Sequence, residues 1–338
     1  MTAAISPFLT FDTHIDIPWP DQGDMMNPET TRKVDYHKAR QGGLHSVCLA
    51  AYIPQGPLSD TGHAEAFQRA QDMLSVITSL PQQASPSTPL RICRTADSII
   101  QAKKEGALAV VPVIENGYAL GENPENVGFF VNNFGVRYIT LTHNGHNALA
   151  DAAIARADLG DLPTRHGGLS PLGRQAISAM NDHGVVIDVS HAARSTMMQA
   201  TEISKTPIVA SHSCARALCD HPRNLDDEQL LRLRDTGGVI QITAMSSFLR
   251  KGGGGTLNDL VQHVRYVADK IGVRHVGISS DFDGGGGIQG WEDASKTHNV
   301  TQALVKAGFV NDELNAVWGG NMLRVLQSAE TYAKHPVK

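Results

Sequence analysis

The chain has 338 residues, with 41% hydrophobic and 19% charged, a balance that excludes a disordered polymer and suits a chain that buries a core. A formal net charge of −5 excludes a broad nucleic-acid-binding surface. No apolar run reaches the roughly 18 residues of a membrane span. The four cysteines, Cys48, Cys93, Cys214 and Cys219, form no CxxC pair and read as free thiols in a reducing compartment. The start, MTAAISPFLTFD, lacks a basic n-region and a long apolar stretch, so the expectation is a soluble, cytoplasmic protein.

In chain order, the first strand is expected at Phe11-Asp12-Thr13-His14-Ile15-Asp16, before Pro18. Alternation puts His14 and Asp16 on one face, Thr13 and Ile15 on the other. A polar loop runs to about residue 42, and 44–53 reads as a second strand. Ala66, Phe67, Ala70, Met73, Leu74, Ile77 and Leu80 make one stripe of a helix over 59–80. Residues 81–89 are a Pro/Ser/Gln-rich loop, and both flanks carry the same alternation of strand and helix, so no domain boundary falls there. The near-continuous apolar run 107–114 suits a parallel strand covered on both faces. Further strands are expected at 138–142, 185–189, 207–210, 239–243 and 275–279. Helices are expected at 170–183, stopped by Gly184, from about Asp226, and at 257–271, with two more closing the chain from about 310. Eight strands alternating with helices point to a single α/β domain over 1–338, a (β/α)8 TIM-like barrel.

In such barrels the chemistry sits at the C-terminal ends of the strands. Those ends carry His14, Asp16, Glu115, His143, His191, His212 and Asp281. Singly, each could be a solvated loop residue, a cap or a turn residue. Seven such residues on one rim point to a site. Imidazoles and carboxylates suit Zn²⁺ or a similar divalent ion. A carboxylate can bridge two ions where an imidazole binds one, which makes Glu115 the natural bridge. His14 and Asp16 would hold one ion, and His191 and His212 the other. Two ions roughly 3.5–4 Å apart can share a hydroxide and stabilise charge on a substrate oxygen.

These motifs resemble the membrane dipeptidase (renal dipeptidase) family, peptidase family M19. They are DTHID at the start, Glu115-Asn-Gly, TLTHN around His143, DVSH ending at His191, ASHS around His212, HPRN around Arg223, SDFDG around Asp281 and GGNMLRV from Gly319. The resemblance implies a barrel of the metallo-dependent hydrolase type. It implies two zinc ions on His14, Asp16, Glu115, His191 and His212, with a bridging hydroxide as nucleophile. It also implies substrate contacts at His143 and Arg223, an acid–base role for Asp281, and dipeptides as substrates, those with a C-terminal D-residue included. A homodimer is implied, and neither nucleic acid nor membrane is expected as a partner. Two departures stand out. Thr13 and Ile15 replace the Gly and Asn of a DGHND pattern, and Ala244-Met245-Ser246-Ser247 stands where the renal enzymes carry an aromatic.

Three other readings compete. The altered 244–247 segment suits a related metallohydrolase acting on another amide, lactam or ester. The glycine runs Gly252–Gly255 and Gly284–Gly287 could serve a phosphate-binding barrel, although no phosphate-loop Lys-Ser/Thr follows either. A non-catalytic binding protein on the same fold would have less reason to keep all five ligand residues together with Asp281.

Overall fold

Apolar alternation in the strands builds two cores, one inside a barrel and one around it. The computed structural model describes residues 8–21 and 24–335; the first seven residues, read above for targeting features, lie outside them. The strands are β1 (Phe11–Asp16), β2 (Ser46–Tyr52), β3 (Leu90–Ile92), β4 (Leu108–Glu115), β5 (Tyr138–Thr140), β6 (Val186–Asp188), β7 (Val209–Ser213), β8 (Val239–Thr243) and β9 (Val276–Ser279). Eight of them pair in parallel in the order β1-β2-β4-β5-β6-β7-β8-β9, and β3 pairs with β4 off this path. The segment after β9 runs beside β1 and nearly closes the barrel. Asp281 N donates to His14 O and Asp16 N donates to Phe282 O, both at 3.0 Å.

On β4, Ala109, Val111 and Val113 share the inner cluster with Cys48, Tyr138, Val186, Val209 and Val239. Leu108, Val110 and Ile114 point into the outer cluster beneath the helices. Helix Ala96–Lys104 and helix Asn321–Tyr332 contribute Ile99, Ala102, Met322, Val325 and Leu326 to the inner cluster and plug one end of the barrel. The other end is left open to a cavity.

The expected strand positions hold, with shifted ends. The fifth is shorter, ending at Thr140, and the seventh runs on to Ser213, so His212 lies within a strand instead of after it. β3 and helix Ala96–Lys104 were not expected; a three-residue strand has no periodicity to read. The two closing helices expected from about 310 are Asn311–Asn315 and Asn321–Tyr332, joined by a π-turn, and a further helix, Thr297–Lys306, precedes them. All four cysteines are free and buried. Among the described residues, no helix is long and apolar enough to cross a membrane.

His45, just before β2, shows how the base of the barrel depends on a neutral imidazole. Its Nδ1 accepts from Thr10 N at 3.1 Å, and Thr10 Oγ1 lies 2.6 Å away. Burial, with Lys103 and Arg40 nearby, pushes its pKa down to about 4 from 6.5. Above pH 6.5 the unfolded and native chains are both neutral here. As pH falls towards 4 the unfolded chain takes up a proton that the native one refuses, so stability is lost. The loss amounts to at most about 3 kcal/mol. His45→Asn should therefore give metal-free protein whose urea stability falls less between pH 7 and pH 4.5 than that of the wild type. Parallel slopes would contradict this.

Candidate metal centre and active site

The rim opposite the plug gathers every site residue read from the sequence. A cavity of about 370 Å³ is lined by Asp16, Glu115, His143, His191, His212, Arg223 and Asp281, and by Tyr52, Asn144, Ile154, His221, Met245, Phe248 and Gly284. His14 lies beneath it with no exposed surface, its Nε2 3.6 Å from both Asp16 Oδ1 and Glu115 Oε2.

Glu115, the last residue of β4, is the hub. Its Oε1 is 3.0 Å from His191 Nε2, 3.3 Å from His212 Nε2 and 3.8 Å from His143 Nε2. Two sets of donor atoms lie within 4.8 Å of one another: His14, Glu115 and His212, and Glu115, His143 and His191. Glu115 is common to both. His212 falls in the set with His14, and His143 in the set with His191.

Strand irregularities aim these side chains. The β1–β2 register shifts between Asp12 and Ile15, and the β7–β8 register between Ala210 and Ser213. Each irregularity contains a site histidine, His14 or His212. A bulge bends a strand and redirects a side chain, which is why bulges gather beside active sites. Beyond the bulge the expected alternation holds: Ile15 is fully buried in the outer cluster, away from Asp16. His191 and Asp281 adopt left-handed backbone at φ 64° and 57°, and Asn116, next to Glu115, lies at 91°. Such geometry costs of order 1–3 kcal/mol per non-glycine residue and persists where the surroundings enforce it.

Outer hydrogen bonds settle which nitrogen faces the centre. Tyr138 donates its hydroxyl proton to Thr13 O at 3.0 Å, so the 2.6 Å contact with His14 Nδ1 has that nitrogen donating. His191 Nδ1 is 3.0 Å from Asn144 Oδ1 and donates to it. In both rings Nε2 is left as the ligating atom. Buried His14 Nε2 and Asp16 Oδ1 have no hydrogen-bond partner, an arrangement that is costly without a cation between them. These donors therefore fit divalent metal.

Electrostatics agree. Burial works against a charge on His14, yet Asp16 and Glu115 raise its pKa well above the ordinary value, so its Nε2 favours a positive partner. Burial opposes charge on Glu115 as well, but His14, His143 and His191 hold it well below the carboxylate range. Burial, assisted by Asp16 and Glu115 and opposed by His14 and Arg223, pushes Asp281 up to about 8. His143 is pushed down to about 4, chiefly by burial and against the pull of Glu115. The Arg223 guanidinium is buried against the Phe248 ring, 5.3 Å from its centroid; Nη2 donates to His212 O at 3.3 Å and Nε is unpartnered.

Two features were not read from the sequence. Phe248 supplies an aromatic wall one position beyond the altered 244–247 segment, because the turn Ser246–Leu249 swings it to the cavity. Gly284 is also fixed by the site: a Cβ there would stand 2.5 Å from Asp16 Oδ2 and 2.6 Å from Asp281 Oδ1. Gly284 thus packs against carboxylates, which is unfavourable for the phosphate-binding reading.

The sequence matches the family model described as membrane dipeptidase (peptidase family M19) over residues 2–337. Dipeptidase verJ of Clonostachys rogersoniana is 31% identical over 337 residues, covering 94% of this chain and 84% of that protein. The crystal structure of the probable dipeptidase PvdM from Pseudomonas aeruginosa superposes with a TM-score of 0.91 at 28% identity, over 97% of this chain and 96% of that one. A metallo peptidase from Rhodobacter sphaeroides, liganded with a phosphinate mimic of the dipeptide L-Ala-D-Ala, has the same fold, with a TM-score of 0.84 at 22% identity, over 95% of this chain and 99% of that one.

Proposed function

Because the chain belongs to the membrane dipeptidase family, peptidase family M19, whose members are metallo-dipeptidases, we propose that it hydrolyses dipeptides at the Glu115 cluster with two zinc ions as cofactors. The observation that carries this is the convergence of four imidazole Nε2 atoms on one carboxylate. His14 and Asp16 would hold one ion, His191 and His212 the other, and Glu115 both. Bound there, the ions supply Lewis acidity towards the scissile carbonyl and lower the pKa of water towards about 7.

The chain's own groups do the rest. Arg223 pairs with the free carboxylate of the substrate, in a geometry suited to two parallel hydrogen bonds. An anion clamp buried at this depth limits how far the peptide can extend, which suits dipeptides; the cavity volume of about 370 Å³ agrees. Neutral His143 donates from Nε2 to the carbonyl oxygen as it gains charge. Asp281 takes a proton from the attacking water at its carboxylate and delivers it to the departing amine nitrogen as the C–N bond breaks. Substrates with a C-terminal D-residue fall within this reading, since a clamp on the carboxylate leaves the terminal side chain free to take either direction. The buried thiols suit a reducing, cytoplasmic setting.

The test is hydrolysis of an L,L and L,D dipeptide panel by chelated protein to which zinc is returned. No turnover with zinc bound would overturn the proposal. Met245 and Phe248 in the cavity wall motivate a second reading, a related amide, lactam or ester substrate. N-acyl amino acid or lactam turnover far above that of every dipeptide would favour it.

Arg223→Ala should lower kcat/KM by roughly 10²–10³-fold, mostly through KM, because a buried charge contact is lost. Zinc content should be unchanged. A loss confined to kcat would remove Arg223 from the substrate.

A further inference from the structure

Beneath His212, whose Nε2 faces Glu115, lies a carboxylate that does not line the cavity. Asp188 ends β6 and is fully buried. Its Oδ1 accepts from Ser190 N at 3.0 Å and Ser211 N at 2.9 Å. Its Oδ2 accepts from Thr140 Oγ1 at 2.5 Å and Ser211 Oγ at 2.6 Å. Asp188 thus ties β5, β6 and β7 together at the floor of the site. Ser211 Oγ also lies 2.8 Å from His212 Nδ1.

A serine hydroxyl has one proton. The carboxylate can only accept, and a charge-assisted bond outcompetes a neutral one. The proton therefore points at Asp188, and Ser211 Oγ can only accept from His212. That requires the proton on His212 Nδ1 and leaves Nε2 bare, facing Glu115 Oε1 at 3.3 Å. We propose that Asp188 is a positioning residue that acts through Ser211 to fix the His212 tautomer needed to ligate metal. The inference rests on reading His212 as a metal ligand.

Asp188→Asn tests the direction of the relay with little change in shape. The Asn Oδ1 keeps the two backbone donors, while its Nδ2 donates to Ser211 Oγ. His14 Nδ1, 3.5 Å from Ser211 Oγ, carries its own proton, so Ser211 then turns its proton to His212 Nδ1, which places the ring proton on Nε2, the wrong tautomer for a ligand; an inverted donor beside a catalytic histidine has the same logic in serine proteases. Outer partners of metal-binding histidines are worth about 10–100-fold in affinity.

The full chain, labelled with ¹⁵N-histidine and assigned by His212→Gln, is examined by NMR before and after zinc titration, with zinc affinity measured by chelator competition. In the wild type His212 should show protonated Nδ1 and bare Nε2. In Asp188→Asn the pattern should reverse, with zinc affinity lower by about 10–100-fold. Ser211→Thr, which keeps the hydroxyl, should behave as the wild type; Ser211→Ala should lose affinity. A merely structural role would lower thermal stability without reversing the tautomer. An unchanged tautomer in Asp188→Asn, or zinc affinity within about twofold of the wild type in both Asp188→Asn and Ser211→Ala, would overturn the inference. If Asp188→Asn does not fold, the two Ser211 variants decide alone: equal affinity in Ala and Thr refutes it. Wild-type dipeptide turnover separates the two claims. A relay that responds as stated in a protein with no dipeptidase activity would leave the relay standing and remove the substrate reading.

Discussion

Glu115→Gln should lower kcat/KM on dipeptides by at least about 10³-fold, a loss of about 4 kcal/mol in transition-state stabilisation. The substitution keeps the shape of the side chain and removes its charge. Four imidazole nitrogens lie within 3.8 Å of this carboxylate, so no other residue can stand in for it. A neutral amide offers one acceptor oxygen where the carboxylate offers two, and it cannot join two cation sites. Zinc content should therefore fall together with activity, measured by elemental analysis after gel filtration. Because Glu115 sits at a strand end above a closed apolar core, the variant should fold. Retained zinc stoichiometry with retained turnover would show that Glu115 is not shared between two sites.

Asp281→Asn should separate chemistry from metal binding. Its carboxyl is buried, held by a left-handed turn beside Asp16, and its pKa is raised to about 8. A group so placed can exchange a proton where Asn cannot. The expected result is a fall in kcat of roughly 10²–10⁴-fold, the range for loss of a general acid–base. KM and zinc content should change little. If zinc is lost in step with kcat, Asp281 belongs among the ligands and the proton carrier must be sought elsewhere.

The barrel and the rim were legible because both rest on short-range patterns. A parallel strand covered on both faces is an apolar run, as at 107–114, and the residue that ends it, Glu115, meets the cavity. Strand alternation correctly separated Asp16 from Ile15. What escaped depends on contacts between distant segments. The bulges at His14 and His212 are mismatches between neighbouring strands, so one strand alone gives no sign of them. β3 exists through its pairing with β4 and has too few residues for a pattern. Phe248 reaches the cavity through a four-residue helical turn, a placement that the residues 244–247 do not encode by themselves. Some signal for the outer shell was present: the Asp of DVSH and the first Ser of ASHS are the two halves of the Asp188–Ser211 contact. Only the adjacent pairing of β6 and β7 shows that they meet.

A zinc titration tests a two-ion centre and its hydrolysis of dipeptides together. Chelator-stripped protein at known concentration receives zinc in steps while bound metal and hydrolysis of L-Ala-L-Ala and L-Ala-D-Ala are followed together. The expected result is no turnover without metal, and activity on at least one dipeptide that rises until two ions are bound per chain. Full activity without metal, or two bound ions with no hydrolysis of either dipeptide, would contradict it.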